Sequence, residues 1–344
     1  MIISASTVKD TRENVEKFVR RNLLGGIDHM VVFLDAPMPD VEEFLDDHTD
    51  VTIVRAHGDW WAGQLPGFLN ERQMTNSGLV SRLVVGYHWA EWMFMLDGDE
   101  VAQIDRTVLD RLDSDIRAVQ LTPMEAVSRL RPDRDPTLFK RKLTQDELAL
   151  LTMLGSIPEA KGRSYFRGHI TGKPGLRPSA NLALGVHHIV DTTTGDRLPL
   201  VGDPGLTVLH YESHNGAEFV RKWMALLGSG GGVKQHKNRA PLARSVSALM
   251  ALDLAEAERA AWLEKLFERS ALDDVDTLSR LGLLVELDPD LRVRSGEPAP
   301  PDAVRQLRGL LDRAYDVPKK QFHPRARARE RRAAKTVADL QRGI

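Results

Sequence analysis

Short, wholly apolar runs alternate along this chain with stretches in which apolar residues recur every three or four positions. Ile2 and Ile3 open a first apolar strand. Asp10 and Glu13 have the spacing of a capping box with the aspartate as cap. Val15, Phe18, Val19 and Leu23 then fall on one helical face. Gly25-Gly26 ends that helix, where glycine adopts positive φ cheaply. Met30 to Leu34 is an apolar run of strand length, stopped at Asp35-Ala36-Pro37. A short helix around Val41 to Leu45 and a third strand, Val51 to Val54, follow. Val80, Leu83, Val84 and Tyr87 share a helical face, and Trp92-Met93-Phe94-Met95-Leu96 reads as a buried strand that runs straight into Asp97-Gly98-Asp99-Glu100. The pattern then predicts a helix through Val108 and Leu112 and a strand near Ala118 to Leu121. Ala183 to Val190 and Leu206 to Tyr211 read as short strands, Glu218 to Leu227 as helix, and Pro241 to Ala314 as mostly helical.

Strands that alternate with helices predict a mixed, mainly parallel sheet flanked by helices on both faces. Ligands bind such sheets at the carboxyl ends of the strands. The polar residues that follow each apolar run are therefore the ones to watch: Ser6, Lys9 and Asp10 after the first, Asp35 after the second, His57 and Asp59 after the third. The glycine-rich run from Leu227 to Val233 predicts a flexible linker over 229–240. It divides an α/β domain at 1–228 from a helical region at 241–317 and a basic helical tail at 318–344.

Composition narrows the field. Cysteine is absent, which removes disulfides, thiolate metal sites and cysteine nucleophiles. A net charge of −2 does not suit a dedicated nucleic-acid binder, and no nucleic-acid partner is expected. Neither a secretory signal nor an apolar run of membrane-spanning length is present. These features predict a cytoplasmic protein, at most peripheral at the inner face of the membrane. The tail concentrates Lys319, Lys320, Arg325, Arg327, Arg329, Arg331, Arg332 and Lys335. Without an apolar face visible there, a solvated helical end is preferred to contact with an anionic membrane surface or an acidic polymer.

Three carboxylates within four residues, directly after five apolar ones, repel one another. A divalent cation reverses that cost, and Mn²⁺ or Mg²⁺ prefers hard oxygen ligands. Gly98 lets the backbone turn so that Asp97 and Asp99 address one site. An EF-hand loop does not fit, because Ala102 and Gln103 stand where further oxygen ligands and a glycine are needed.

The block Glu71-Arg72-Gln73, Asn76, then Trp92 to Asp97-Gly98-Asp99-Glu100 resembles the family 2-like glycosyltransferases. Val8-Lys9-Asp10-Thr11 sits where that family often carries K-N-E, with Asp10-Thr11 replacing Asn-Glu. Leu23 to Asp28 matches its helix-ending turn. Gly172 to Arg177, Gly185 to His188, Leu209-His210-Tyr211 and Glu218 to Lys222 follow in the family's order, so the likeness spans about residues 1 to 225. It implies a GT-A, Rossmann-like fold and a nucleotide-diphosphate sugar donor, a UDP- or GDP-sugar. It further implies that Asp99 contacts the metal and that Asp97 serves the ribose or a metal-bound water. A late histidine, His210 or next His187, completes the metal site. The metal set is thus Asp97, Asp99 and His210. Lys9, Asp10, Asp35, Gln73, Asp97, Lys173 and Arg177 are candidates for donor binding, with Lys173 and Arg177 clamping the leaving group from a glycine-rich loop. Glu212 is the candidate base. The acceptor is left open among a glycan, a lipid-linked molecule and a small molecule.

Two other functions fit part of the pattern. Met95 to Val101 also matches the D-x-D-x-[TV] strand of haloacid-dehalogenase-like phosphatases, in which Asp97 would be the nucleophile and Asp99 the acid/base. That motif normally lies on the first strand of its domain, and here about three strands precede it. A GT-A-shaped binding protein without catalysis is the non-enzymatic alternative.

Overall fold

The structure, a computed structural model, describes residues 1–228, 240–324 and 330–342. These residues form two compact units. One comprises Met1–Thr122, Thr171–Val208 and Pro289–Ile344; the other comprises Pro123–Ile170 and Leu209–Asp288. This division differs from the sequential one expected from the sequence, since the chain passes between the units more than once. The linker expected at 229–240 falls almost wholly outside the described residues.

The first unit begins with β1 (Ile2–Val8), α1 (Arg12–Leu24), β2 (His29–Leu34), α2 (Pro39–Asp46), β3 (Val51–Arg55), α3 (Leu69–Leu83) and β4 (Trp92–Met95). β5 (Glu100–Ile104), α4 (Arg106–Asp110) and β6 (Ala118–Ala126) follow, and the chain enters the second unit within β6. There it forms β7 (Leu138–Lys140), α5 (Gln145–Met153) and α6 (Gly162–Tyr165). Back in the first unit come β8 (Lys173–Leu176), β9 (Leu182–Leu184), β10 (Ile189–Asp191) and β11 (Val201–His210), whose last two residues again belong to the second unit. The second unit closes with α7 (Gly216–Gly228), α8 (Ala240–Met250), α9 (Glu256–Ser270), α10 (Val275–Arg280) and β12 (Leu284–Glu286). α11 (Pro301–Arg313) and α12 (Glu330–Gln341) complete the first.

In the first unit the strand order is β3-β2-β1-β4-β8-β6. β1 pairs parallel with β2 and with β4, and β2 parallel with β3. β8 runs antiparallel to both β4 and β6. This is the mixed α/β sheet that the alternating pattern predicts. Successive strand residues point to opposite faces. Thus Ile3, Ala5, Val31, Phe33, Met93 and Met95 face one core with Leu79, Val80 and Leu83 of α3. Ile2, Met30, Val32, Leu34, Phe94 and Leu96 face the other with Val15, Phe18 and Val19 of α1. β1 leads outward to β2 and β3, and the chain then returns to place β4 on its other side. That reversal makes the carboxyl ends of β1 and β4 a topological switch point.

Local details depart from the sequence reading. The cap of α1 is Thr11, whose Oγ1 accepts from the Asn14 N–H, and not Asp10. Asp10 lies one residue too early and accepts instead from the Thr11 N–H at 2.6 Å. Lys173 is not in a loop: Lys173–Leu176 is a fully buried strand despite its proline and glycine. Gly175 is there because a Cβ would come within 2.1 Å of the Phe94 ring. β5 had no counterpart in the reading. α12 does carry an apolar face, since Ala333, Val337 and Leu340 pack into the core that α3 covers. Lys319 of the tail is buried with its ammonium 4.0 Å from the Trp60 ring centroid. Arg325, Arg327 and Arg329 lie outside the described residues. Among the described residues no helix is long and apolar enough to cross a membrane.

The second unit has its own sheet edge, β12-β7-β6, all antiparallel. One apolar cluster gathers Leu148, Leu151, Tyr165, Phe166, Leu278 and Leu283, and another Phe219, Trp223, Val246, Leu263 and Phe267.

Candidate functional site

β4 delivers Asp97 to the switch point, beside the end of β1. The Asp97 N–H donates to Glu100 Oε2 at 2.7 Å, and the Glu100 N–H donates back to the Asp97 carbonyl at 3.1 Å. This turn aims the fully buried Glu100 side chain inward as β5 begins. α1 fixes β5 in place: Asn22 Nδ2 donates to the Glu100 carbonyl, and Asn22 Oδ1 accepts from the Ala102 N–H, at 2.9 and 2.8 Å. A buried asparagine that pairs its amide with a strand backbone satisfies polar groups that burial would otherwise penalise.

β8 brings Lys173 to the same place. Its ammonium is fully buried, 2.7 Å from Asp97 Oδ2 and 3.1 Å from Glu100 Oε2. Asp97 Oδ1 accepts from Gln73 Nε2 of α3 at 2.7 Å. Burial pushes the Asp97 carboxyl above the usual carboxylate range; Lys173 pulls it back, and the charges of Glu100 and Asp99 add to the push. Burial also disfavours the Lys173 ammonium, but Asp97 and Glu100 outweigh it and hold the lysine protonated.

Around this centre α3 presents a polar face. Asn76 Nδ2 donates to Thr7 Oγ1 of β1 at 3.0 Å, and Trp60 Nε1 donates to Asn76 Oδ1 at 3.2 Å. Arg72 grips Asp35, at the carboxyl end of β2, through two bonds of 2.8 and 2.7 Å, and also donates to the Pro66 carbonyl. Lys9 is exposed beyond the end of β1. Arg177 stacks on the Trp92 ring at 4.4 Å and donates to the Ile116 carbonyl. The His187 Nδ1 lies 2.9 Å from the Gly172 carbonyl.

The first unit thus unites Asp97, Gln73 and Lys173 in direct contact. Asp99 and Glu100 follow in the same turn, and Asp35 stands on its own clamp at the end of β2. Thr7, Arg72 and Asn76 were not assigned roles from the sequence, and Glu100 was read only as one of the three carboxylates of the acidic turn. Arg72 and Asn76 were legible as polar positions one turn apart on the same helix as Gln73.

His210 and Glu212 belong to the second unit. His210 Nε2 lies 3.5 Å from Glu212 Oε2, and Glu212 also accepts from Lys222 Nζ at 2.9 Å. The His210 ring stacks on His169, with centroids 4.8 Å apart. Below them Glu125 accepts from the N–H groups of Arg167 and Gly168 and pairs with the fully buried Lys140, which also binds Asp273. Burial opposes ionisation of Glu125, yet Lys140, His210 and the Arg167 N–H hold its carboxyl below the usual range.

Carboxylate and imidazole groups able to hold a metal ion are therefore present: Asp99 and Glu100 in the first unit, His169, His210 and Glu212 in the second. Carboxylate oxygens are hard donors and imidazole nitrogens borderline ones, and divalent ions accept both.

No protein-family model and no curated protein matches the chain. A solved structure from Bacillus anthracis, designated a glucose-1-phosphate thymidylyltransferase and determined in complex with sucrose, is 12% identical and has a TM-score of 0.28; the match covers 52% of this chain and 73% of that one. A likeness at that level bears on neither the activity nor the substrate of the present protein.

Proposed function

We propose that this protein is a transferase that moves a sugar from a nucleotide-diphosphate sugar, a UDP- or GDP-sugar, with Mn²⁺ or Mg²⁺ beside the Asp97–Glu100 turn. One observation carries the reading. The acidic turn lies at the carboxyl end of β4, at the switch point where α/β sheets bind ligands, and gathers the carboxyl groups of Asp97, Asp99 and Glu100 within four residues. Such hard oxygens suit a divalent ion, which when bound would serve as a Lewis acid for the charge that grows on the leaving diphosphate.

The residues of the chain divide the remaining work. Gln73 and Lys173 each hold one oxygen of Asp97, so its carboxylate keeps one orientation. Asp99, two residues on and half-buried, is the ion's ligand in this reading. Asp35 and Arg72 form a rigid polar pair at the neighbouring strand end, suited to the nucleoside. Lys9 and Asp10 follow the carboxyl end of β1, the strand parallel to and paired with β4. Glu212 is the proposed acceptor base, and Lys222, 2.9 Å from its Oε1, orients it. The acceptor is a glycan, a lipid-linked molecule or a small molecule.

The phosphatase alternative loses support from two facts. Asp97 follows the fourth strand of the chain, not the first, and both its oxygens are engaged by Gln73 and Lys173. Product analysis tests the choice: the protein, Mn²⁺ and a panel of UDP- and GDP-sugars should release a nucleoside diphosphate. Release of inorganic phosphate from small phosphomonoesters, with no nucleoside diphosphate from any sugar nucleotide, contradicts the proposal.

A further inference from the structure

We propose that His169 is a ligand of a divalent transition-metal ion, paired with His210, and that this pair favours Co²⁺ or Zn²⁺ over Mg²⁺. The inference goes beyond the reading above: it concerns residues of the second unit alone and does not depend on the ion proposed beside Asp99.

The second unit holds the pair through several independent contacts. His210 is the last residue of β11 and is 5% exposed. His169 lies face to face with it, the ring planes inclined by 28° and the centroids 4.8 Å apart. The residue before His169 is Gly168, and a Cβ there would lie 2.2 Å from His210 Cε1 and 2.3 Å from Nδ1. Only glycine lets the His210 ring seat on that backbone. Glu125 then locks the segment from beneath, accepting from the Arg167 N–H at 2.7 Å and the Gly168 N–H at 2.5 Å. Lys140 fixes Glu125 in turn, at 2.8 Å. Glu212 adds a carboxylate oxygen 3.5 Å from His210 Nε2.

The ligand nitrogens of His169 and His210 lie within 4.8 Å of each other, and a pair of imidazole donors ranks Co²⁺ and Zn²⁺ well above Mg²⁺. Outer partners such as Glu125 commonly orient metal-binding histidines.

The test uses the full-length protein and metal ions alone. Calorimetry and visible absorption should show Co²⁺ bound on the order of a hundredfold more tightly than Mg²⁺, with a ligand-field spectrum characteristic of nitrogen coordination. His169→Ala should weaken Co²⁺ binding at least about tenfold and change that spectrum. Gly168→Ala should do the same by displacing His210. Circular dichroism and thermal melting of each variant check the fold, and His169→Asn replaces the alanine variant if it misfolds. Wild-type Co²⁺ affinity and spectrum in a folded His169 variant overturn the proposal, as does equal binding of Co²⁺ and Mg²⁺ by the wild type. Either result leaves the transferase reading standing. Ion-independent binding of a sugar nucleotide instead removes the metal from that reading without touching His169.

Discussion

Lys173 is the residue on which the acidic turn depends. Its ammonium is fully buried between Asp97 and Glu100, and Glu100 is itself fully buried. Replacing a buried pair by well-packed apolar residues can be neutral, but removing one partner strands the other. Lys173→Met should therefore lower stability by about 3–5 kcal/mol, read from urea denaturation. A loss below about 1 kcal/mol would mean that Glu100 is neutral or paired elsewhere. From the sequence, Asp97 and Asp99 were visible as chemistry because charge seldom follows five apolar residues directly. Lys173 was visible only as a basic residue near glycines. Its role depends on an ion pair across 76 residues of chain, which no local pattern encodes. His169 was missed for the same reason: a single histidine acquires meaning only from the ring stacked on it.

At the scale of elements, β5 and β8 carry the site, and neither was read in advance. β8 spells Lys-Pro-Gly-Leu, a sequence of turn residues, and it becomes a strand because β4 and β6 flank it on both sides. β5 begins inside the acidic cluster, so its short apolar run was absorbed into the motif before it. Among the strands that were read, β2 and β4 are the clearest, because burial on both faces leaves a nearly continuous apolar run. α1 is the brace for β5, and Gly25 is where they touch: a Cβ there would lie 1.9 Å from the Ala102 carbonyl oxygen. Gly25→Ala should cost about 3 kcal/mol by overpacking and should also weaken sugar-nucleotide binding, because β5 carries Glu100. Full retention of donor affinity would separate α1 from the site. At the helix's other end, Thr11→Ala should cost about 1 kcal/mol, the usual loss of an N-cap. Asp10→Ala should cost less, a comparison that a thermal melt of both variants decides.

For the molecule as a whole, one buried histidine sets a pH limit. His29 is fully buried in β2, where its Nε2 meets Thr52 Oγ1 at 2.8 Å. Burial, with Arg308 nearby, lowers its pKa to about 4 from 6.5. The folded state therefore resists a proton that the unfolded chain accepts. The stability due to neutral His29 is whole above pH 6.5 and is lost as pH falls from there toward 4. Between pH 7.5 and 5 it should amount to about 2 kcal/mol, measured as a shift in urea midpoint. A His29→Gln variant should lose that slope, and an unchanged slope would place the titration elsewhere. The fold class was legible at this scale because alternating strands and helices leave few arrangements. The two-unit division was not, because it depends on the chain's returns within β6 and β11 and not on any boundary in composition.

The central claim is that Asp99 joins a divalent ion to a sugar-nucleotide diphosphate at the carboxyl end of β4. Calorimetric titration of wild type and Asp99→Ala with a UDP- and GDP-sugar panel, each with and without Mn²⁺, tests it most directly. The wild type should bind one donor only with the ion present, and the variant should keep its melting temperature while losing that ion-dependent binding. Equal donor affinity in the two proteins would contradict the account.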